Sequence, residues 1–406
     1  MPDRGERTLT INTMNSIKPV SDISSLIILT SSYVYVPEDA HITSGVFVRD
    51  FAMAMAGQGI NVTVITQQRT QPVREDPGLR VIAYPWSGTD RQPVELAVRN
   101  PADISHILSL LRAGKKALGQ ALPRDRQVRC LCMWAVPAGY MAMKALKGTG
   151  IEYDVWCLGS DIWHYGRKWY SRWLIKKILK QAQHLFADGY ALKEDVRKLS
   201  GKDCAFLASS RMLPQGTKIV PKLSPDRPNL LFIGRWHPNK GVDLMPETMR
   251  RLAQMNVQAH LHIFGGGLLE HELIQGIAAH DVGQRITVHG YADSETAVAY
   301  LKACDALLIP SRIESIPIIF SDAVKCGTPM VATDVGDVGR MVREHHLGQV
   351  VRPNTPRALA EGIKAVLTQE RTAFSEGMHR VSRIFDVRAS ALQYIQTIAT
   401  GPHQEL

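Results

Sequence analysis

The sequence predicts an α/β protein of two doubly wound parallel-sheet domains that face each other across a cleft. Three observations predict it. Apolar, β-rich runs alternate with helix-patterned segments from about residue 24 onward. One turn-rich passage interrupts the alternation near the middle, after which the pattern restarts. The 406 residues are enough for two domains of ordinary size, with 45% apolar and 21% charged residues, as in an ordinary folded chain.

The first twenty residues, MPDRGERTLTINTMNSIKPV, have no apolar core and read as part of a polar tail, residues 1–24, rather than a secretory leader. SSLIILTSSYVYV reads as a buried parallel strand. In TSGVFVRDFAMAMAGQGINVTVIT, Val46, Phe47, Phe51 and Met55 recur at helical spacing, Gly57 and Gly59 stop the helix, and NVTVIT is the next strand. VRCLCMWAV, YDVWCLGSD and HLFADGYALKEDV continue the pattern to about residue 215. LPQGTKIVPKLSPDRPN, Leu213 to Asn229, holds four prolines and reads as the interdomain linker. The second domain, residues 216–375, alternates the strands NLLFIG, AHLHIFGGG, RITVHG, DALLIP and PMVATDVG with the helices GVDLMPETMRRLAQM, AVAYLKAC and PIIFSDAVKC. Residues 376–406 form a closing helical segment and tail.

No run of 18 or more apolar residues is present, so no transmembrane helix is expected. The six cysteines are scattered without a CxxC pair and the 14 histidines show no HExxH spacing, so buried thiols in a reducing cytoplasm are expected and a metal site is not. Residues 1–215 hold 28 Lys+Arg against 19 Asp+Glu, a net of +9 of the chain's +10. The first half therefore suits an acidic partner or surface. No nucleic-acid module is recognisable.

In open parallel sheets ligands bind beyond the carboxyl ends of the strands. Four second-half loops fall there. In GRWHPNKG, Arg235 and Lys240 stand between Gly234 and Gly241, a pattern suited to a diphosphate. Gly265 and Gly266 let backbone amides approach a ligand closely, and Tyr291 in HGYADSE could border a nucleobase. The stretch IPSRIESIPIIFSDAVKCGTPMVATDVG carries two acids, Glu314 and Asp322, around a helix start near Ser315 and Pro317. Backbone amides from about Ser315 through Ile316 and Ile318 to Ile319 would form an anion site there. The acids, both read on the cleft side, would accept sugar and ribose hydroxyls.

These stretches resemble, in order across roughly residues 229–367, the nucleotide-sugar half of the family-4 retaining glycosyltransferases of the GT-B fold. The first half resembles the family more loosely, through SGVFVRDFAMAMAGQGINVTVIT and LGSDIW, and RIFDVRASALQYIQTIAT looks like the family's last helix, which crosses back to the first domain. The resemblance implies a nucleoside-diphosphate sugar as donor substrate, no cofactor, no metal, and a glycan or lipid-linked acceptor in envelope or polysaccharide biosynthesis. It implies Arg235 and Lys240 on the donor diphosphate, Glu314 near the donor sugar, Asp322 on the ribose, and Gly45 on the donor phosphate from the first domain. Two positions depart from the pattern. Asp322 stands for a glutamate and reaches roughly 1.5 Å less far, and Leu158 stands where many members have a histidine. Asp161 and His164 lie nearby and could take over contacts to the sugar. A non-catalytic sugar-nucleotide-binding protein and a sugar-nucleotide epimerase are the competing readings.

YGRKWYSRWLIKKILKQAQ holds six Lys+Arg and no acid. At 100° per residue, Leu174, Ile175, Ile178 and Leu179 share a core face, leaving Trp169 and Trp173 among Arg172, Lys176, Lys177 and Lys180. That face suits an anionic membrane surface, with a solvated basic face or a cleft-lining helix that stacks sugars as the alternatives; the expected location is cytoplasmic, and peripheral on the inner face of the membrane if the first reading holds.

Overall fold

The computed structural model describes residues 23–36, 45–90, 96, 100–123, 127–216, 219 and 221–400. Most of the polar tail, part of the loop before Gly45 and residues 217, 218 and 220 of the turn-rich passage lie outside them.

In the first domain the order is β1 (Ser25–Leu29), α1 (Val46–Ala56), β2 (Asn61–Gln67), β3 (Leu79–Tyr84), α2 (Pro101–Ala121), β4 (Val128–Met133), α3 (Tyr140–Ala145), β5 (Tyr153–Cys157), α4 (Trp169–Gln181), β6 (Leu185–Ala187), α5 (Tyr190–Ser200) and β7 (Ala205–Phe206). The second holds β8 (Asn229–Ile233), α6 (Met245–Gln254), β9 (His260–Phe264), α7 (Glu270–Ala279), β10 (Ile286–Gly290), α8 (Ser294–Ala303), β11 (Ala306–Ile309), α9 (Ile318–Cys326), β12 (Met330–Thr333), α10 (Val338–Glu344), β13 (Gly348–Val351), α11 (Pro356–Leu367) and α12 (Ser375–Ser382). The chain closes with α13 (Val387–Thr400).

Both sheets are parallel, ordered β3-β2-β1-β4-β5-β6-β7 and β10-β9-β8-β11-β12-β13. The central strands are nearly all apolar because helices cover both faces; Leu26 to Leu29 and Cys130 to Met133 are all buried. Each sheet reverses its winding between neighbours that are distant in sequence, β1 beside β4 and β8 beside β11. At such a switch point the flanking loops diverge and leave a crevice at the strands' carboxyl ends. In the second domain those loops are residues 234–241 after β8 and 310–317 after β11.

The final helix belongs to the first domain's core. Val387, Ala391, Tyr394 and Ile395 are buried among Phe47, Phe51, Trp156 and Phe186. Burial of aromatic and aliphatic side chains of this size contributes roughly 1.5–3 kcal/mol each. The Tyr394 hydroxyl donates to the fully buried Asp154 carboxylate (2.9 Å), which also accepts from the His184 amide (2.9 Å). Among the described residues no helix is long and apolar enough to cross a membrane.

Candidate functional site at the interdomain cleft

The site begins with backbone. Gly265 has φ 134° and a Cβ on it would lie 1.9 Å from the Gly234 carbonyl oxygen, so only glycine lets the loop after β9 close onto the loop after β8. Two hydrogen bonds fix that closure: Gly234 N–H to Phe264 O (3.1 Å) and Trp236 N–H to Gly266 O (2.8 Å). Tyr291 lies against Gly266, whose added Cβ would meet its ring at 2.6 Å. Trp236 is buried beneath and turns Arg235 outward into solvent.

The loop after β11 is braced onto the same platform. Arg312 donates to both carboxylate oxygens of Asp243 (2.9 and 2.6 Å), and its amide donates to Asn239 O (2.7 Å). The brace carries Glu314 to Lys240, and the ammonium and carboxylate are in direct contact. Pro317 precedes α9 and offers no side-chain cap, so the first-turn amides of Ile318 and Ile319 face outward from a helix start that attracts anions. His237 sits among these cations; burial first, then Arg235, His164 and Lys240, hold its imidazole below the usual range. The neutral ring accepts from the Asn239 amide (3.2 Å). His164 is exposed and comes from the first domain, so that domain already contributes to the electrostatics of this loop.

The two domains touch just behind. The Ser315 hydroxyl donates to Asp188 Oδ1 (2.9 Å), and the Ser209 hydroxyl donates to Oδ2 (3.2 Å). Asp337 accepts from the Ala191 amide (2.9 Å), so the second domain caps α5 of the first. Burial pushes the Asp188 carboxyl up to about 7, against the lowering effect of Ser315 and Ser209, while Asp161 and Glu314 add to the rise. A carboxyl raised in this way favours folding while it is protonated. The stability it confers is full below about pH 4 and is lost as pH rises through about 7. Asp188→Asn, which cannot ionise, is therefore expected to gain on the wild type from about pH 4 to about pH 7 and to hold a constant lead above that. Denaturation of both proteins at about pH 5 and about pH 8 checks this; a lead that does not grow with pH contradicts it.

The structure corrects two sequence expectations about side-chain direction. Asp322 lies one turn inside α9, eight residues beyond Glu314, yet it is fully buried rather than open to the cleft. Arg211, from the segment that crosses between the domains, donates to Asp322 Oδ2 through Nη2 (2.6 Å) and Nε (2.9 Å) and to Ser294 Oγ through Nη1 (2.7 Å). Asp322 Oδ1 is buried with no hydrogen-bond partner among the described residues. Asp161 is the second correction. It is fully buried and its two oxygens accept from the Ala135 amide (2.8 Å) and the Leu158 amide (3.2 Å). Burial raises its carboxyl above the usual range, against the pull of those amides. Asp161 therefore ties the loop after β4 to the loop after β5, with both carboxylate oxygens taken by backbone amides. Leu158 is half-buried. Gly45, at the start of α1, meets the first sheet's switch point: a Cβ there would lie 2.3 Å from the Tyr33 carbonyl carbon.

A cavity of about 600 Å³ opens beside Glu314 between the domains. Ile162, Trp163, Arg172 and Lys198 line it from the first domain, and Arg312, Glu314 and Gly336 from the second. Arg211, Asp188 and Asp337 are the residues that sequence reasoning missed. Asp188 follows β6 directly and Asp337 stands immediately before α10, which are positional signals; a lone arginine ahead of a turn-rich passage gives none.

Comparison with known proteins agrees with this fold. Sucrose-phosphate synthase from Thermosynechococcus elongatus superposes with a TM-score of 0.73 at 20% identity, covering 92% of this chain and 98% of that one. Anabaena HepE in complex with UDP-glucose superposes with a TM-score of 0.67 at 14% identity, covering 93% and 99%. In sequence, D-inositol 3-phosphate glycosyltransferase of Jonesia denitrificans is 27% identical over 384 residues, 84% of this chain and 87% of the relative. Four other curated relatives are matched over only 37% to 59% of their own length. The chain therefore has the GT-B fold, and its residues 217–381 match the family model described as glycosyl transferases group 1.

Proposed function

We propose that the protein is a retaining glycosyltransferase that moves a sugar from a nucleoside-diphosphate donor to a glycan or lipid-linked acceptor, without a metal cofactor. The observation that carries this reading is the convergence of Arg235, Lys240, Glu314 and the open start of α9 at one switch point. The neighbours' names support it, including the UDP-glucose bound by HepE.

As the glycosidic bond to the diphosphate breaks, negative charge builds on the leaving oxygens and positive charge on the anomeric carbon. Arg235 and Lys240, with the first-turn amides of α9, are the positive groups available to the charge that develops on the leaving group. Glu314 holds Lys240 at the cleft edge and offers its carboxylate to donor-sugar hydroxyls. The leaving phosphate takes the acceptor's proton on the face from which it departs, which gives retention without a protein nucleophile. Asp188 sets the distance between the domains through Ser315 rather than meeting substrate.

Two observations favour a second reading. Arg211 closes off Asp322, and the Leu158 side chain has no polar atom to offer the sugar. Both fit a protein that binds sugar nucleotide without turnover. NMR of products formed from candidate donors and acceptors distinguishes the two. The transferase reading expects a new glycosidic bond with the donor's anomeric configuration. Inversion refutes retention, free sugar without acceptor indicates an epimerase or hydrolase, and diphosphate binding without any product supports the binding protein.

A further inference from the structure

We propose that the exposed face of α4 docks the protein on an anionic lipid bilayer and holds the mouth of the interdomain cavity against that surface. The role of the cavity in taking an acceptor rests on the transferase reading, whereas the docking itself does not.

The packing of α4 is complete without its aromatic residues. Ile175, Ile178 and Leu179 are fully buried in the first domain's core. Trp169 and Trp173 are 83% and 64% exposed, four residues apart on the opposite side. Exposed indoles of this size gain nothing from water, and a globular surface seldom leaves two side by side. With Lys176, Lys177 and Lys180 they occupy positions i, i+4, i+7, i+8 and i+11, a single stripe along the helix. Lys177 stands over the Trp173 ring, 5.3 Å from its centroid. Arg172, Lys176 and Lys180 have no ion-pair partner among the described residues, and no acid occurs between Asp161 and Asp188. Two indoles ringed by unneutralised cations fit the level of anionic lipid headgroups, where the ring body meets acyl chain and the charges meet phosphate.

The same helix reaches the cleft. Arg172, on the edge of the stripe, lines the cavity that Glu314 borders. Seating Trp169 and Trp173 in the headgroup layer therefore brings that opening to the bilayer, where a lipid-linked acceptor enters sideways without leaving its membrane. The basic excess of the first half has the same sense.

Co-sedimentation with phosphatidylcholine vesicles, and with vesicles containing phosphatidylglycerol, tests the proposal at low and high salt. The wild type is expected to bind the anionic vesicles, to release them at high salt, and to show a blue shift of tryptophan emission on binding. Trp169→Ala/Trp173→Ala and Lys176→Glu/Lys177→Glu are each expected to lower the partition by about tenfold or more. A charge-matched pair on the second domain, Arg357→Glu/Arg380→Glu, is expected to bind as the wild type does. All these side chains are exposed, so melting temperatures without vesicles serve as the folding control. No preference for anionic vesicles overturns the proposal, as does equal loss in the control pair or wild-type binding by both α4 variants. Self-association that depends on the tryptophans, with no vesicle binding, assigns the face to a second copy of the chain instead.

Discussion

Arg235→Ala is expected to lower kcat/KM by about 10²–10³-fold and to abolish stabilisation by the nucleoside diphosphate, while leaving the melting temperature of the unliganded protein unchanged. The split follows from where the guanidinium sits. It is exposed, and among the described residues it holds no ion pair or side-chain hydrogen bond, so the fold loses nothing when it is removed. Its backbone, by contrast, is pinned between Gly234 and the buried Trp236, which keeps its charge near His237 beside Lys240. Lys240→Ala tests the same charge with a further consequence, because it also leaves Glu314 without its partner. A fall in the unliganded melting temperature comparable to the loss of donor stabilisation would contradict the assignment of Arg235, since it would show a structural part.

Arg211→Met is expected to be the most destabilising single change at the domain junction, by about 3–5 kcal/mol. Among the described residues it removes the only hydrogen-bond partners of a fully buried carboxylate, whose second oxygen already has none. Burial works against the Arg211 charge, and Asp322 more than offsets it. The segment it anchors is well tied: the Met212 amide donates to Asp50 Oδ2 (2.7 Å), and Lys325 Nζ donates to the Arg211 carbonyl (2.7 Å). Arg211→Met/Asp322→Leu, which removes both charges, is expected to recover most of the loss, since an apolar pair of similar volume replaces a buried ion pair at little cost. Chemical denaturation of the two variants checks this. If the double variant is as unstable as the single one, the harm lies in packing and not in the orphaned carboxylate.

The fold was readable in the sequence where period and punctuation agree. The strands NLLFI and ALLI are short apolar runs ended by a glycine and a proline, and a parallel strand buried on both faces needs that composition. Helix α2 has no counterpart among the sequence expectations, although Asn100 and Pro101 mark its start; its apolar residues are spread widely around the helix, and only Leu110, Ala117 and Leu118 among them are buried. At the site, sequence order was enough to put Arg235, Lys240 and Glu314 at strand ends, because strand ends are a topological property. It could not show that Asp322 turns to Arg211 instead of the cleft. That depends on a partner 111 residues away, brought there by the packing of two domains. Asp161 escaped for a similar reason: the amides that occupy it come from two loops whose proximity exists only in the folded sheet.

A nucleoside diphosphate is expected to bind where the loops after β8 and β11 meet. Thermal denaturation of the wild type with UDP, GDP and ADP in turn tests it most directly. One diphosphate is expected to raise the melting temperature in a concentration-dependent way, by the equivalent of about 2.7 kcal/mol at a hundredfold excess over its Kd, with the rise absent in Arg235→Ala. No shift with any of the three, or a shift that persists in Arg235→Ala, would contradict the account.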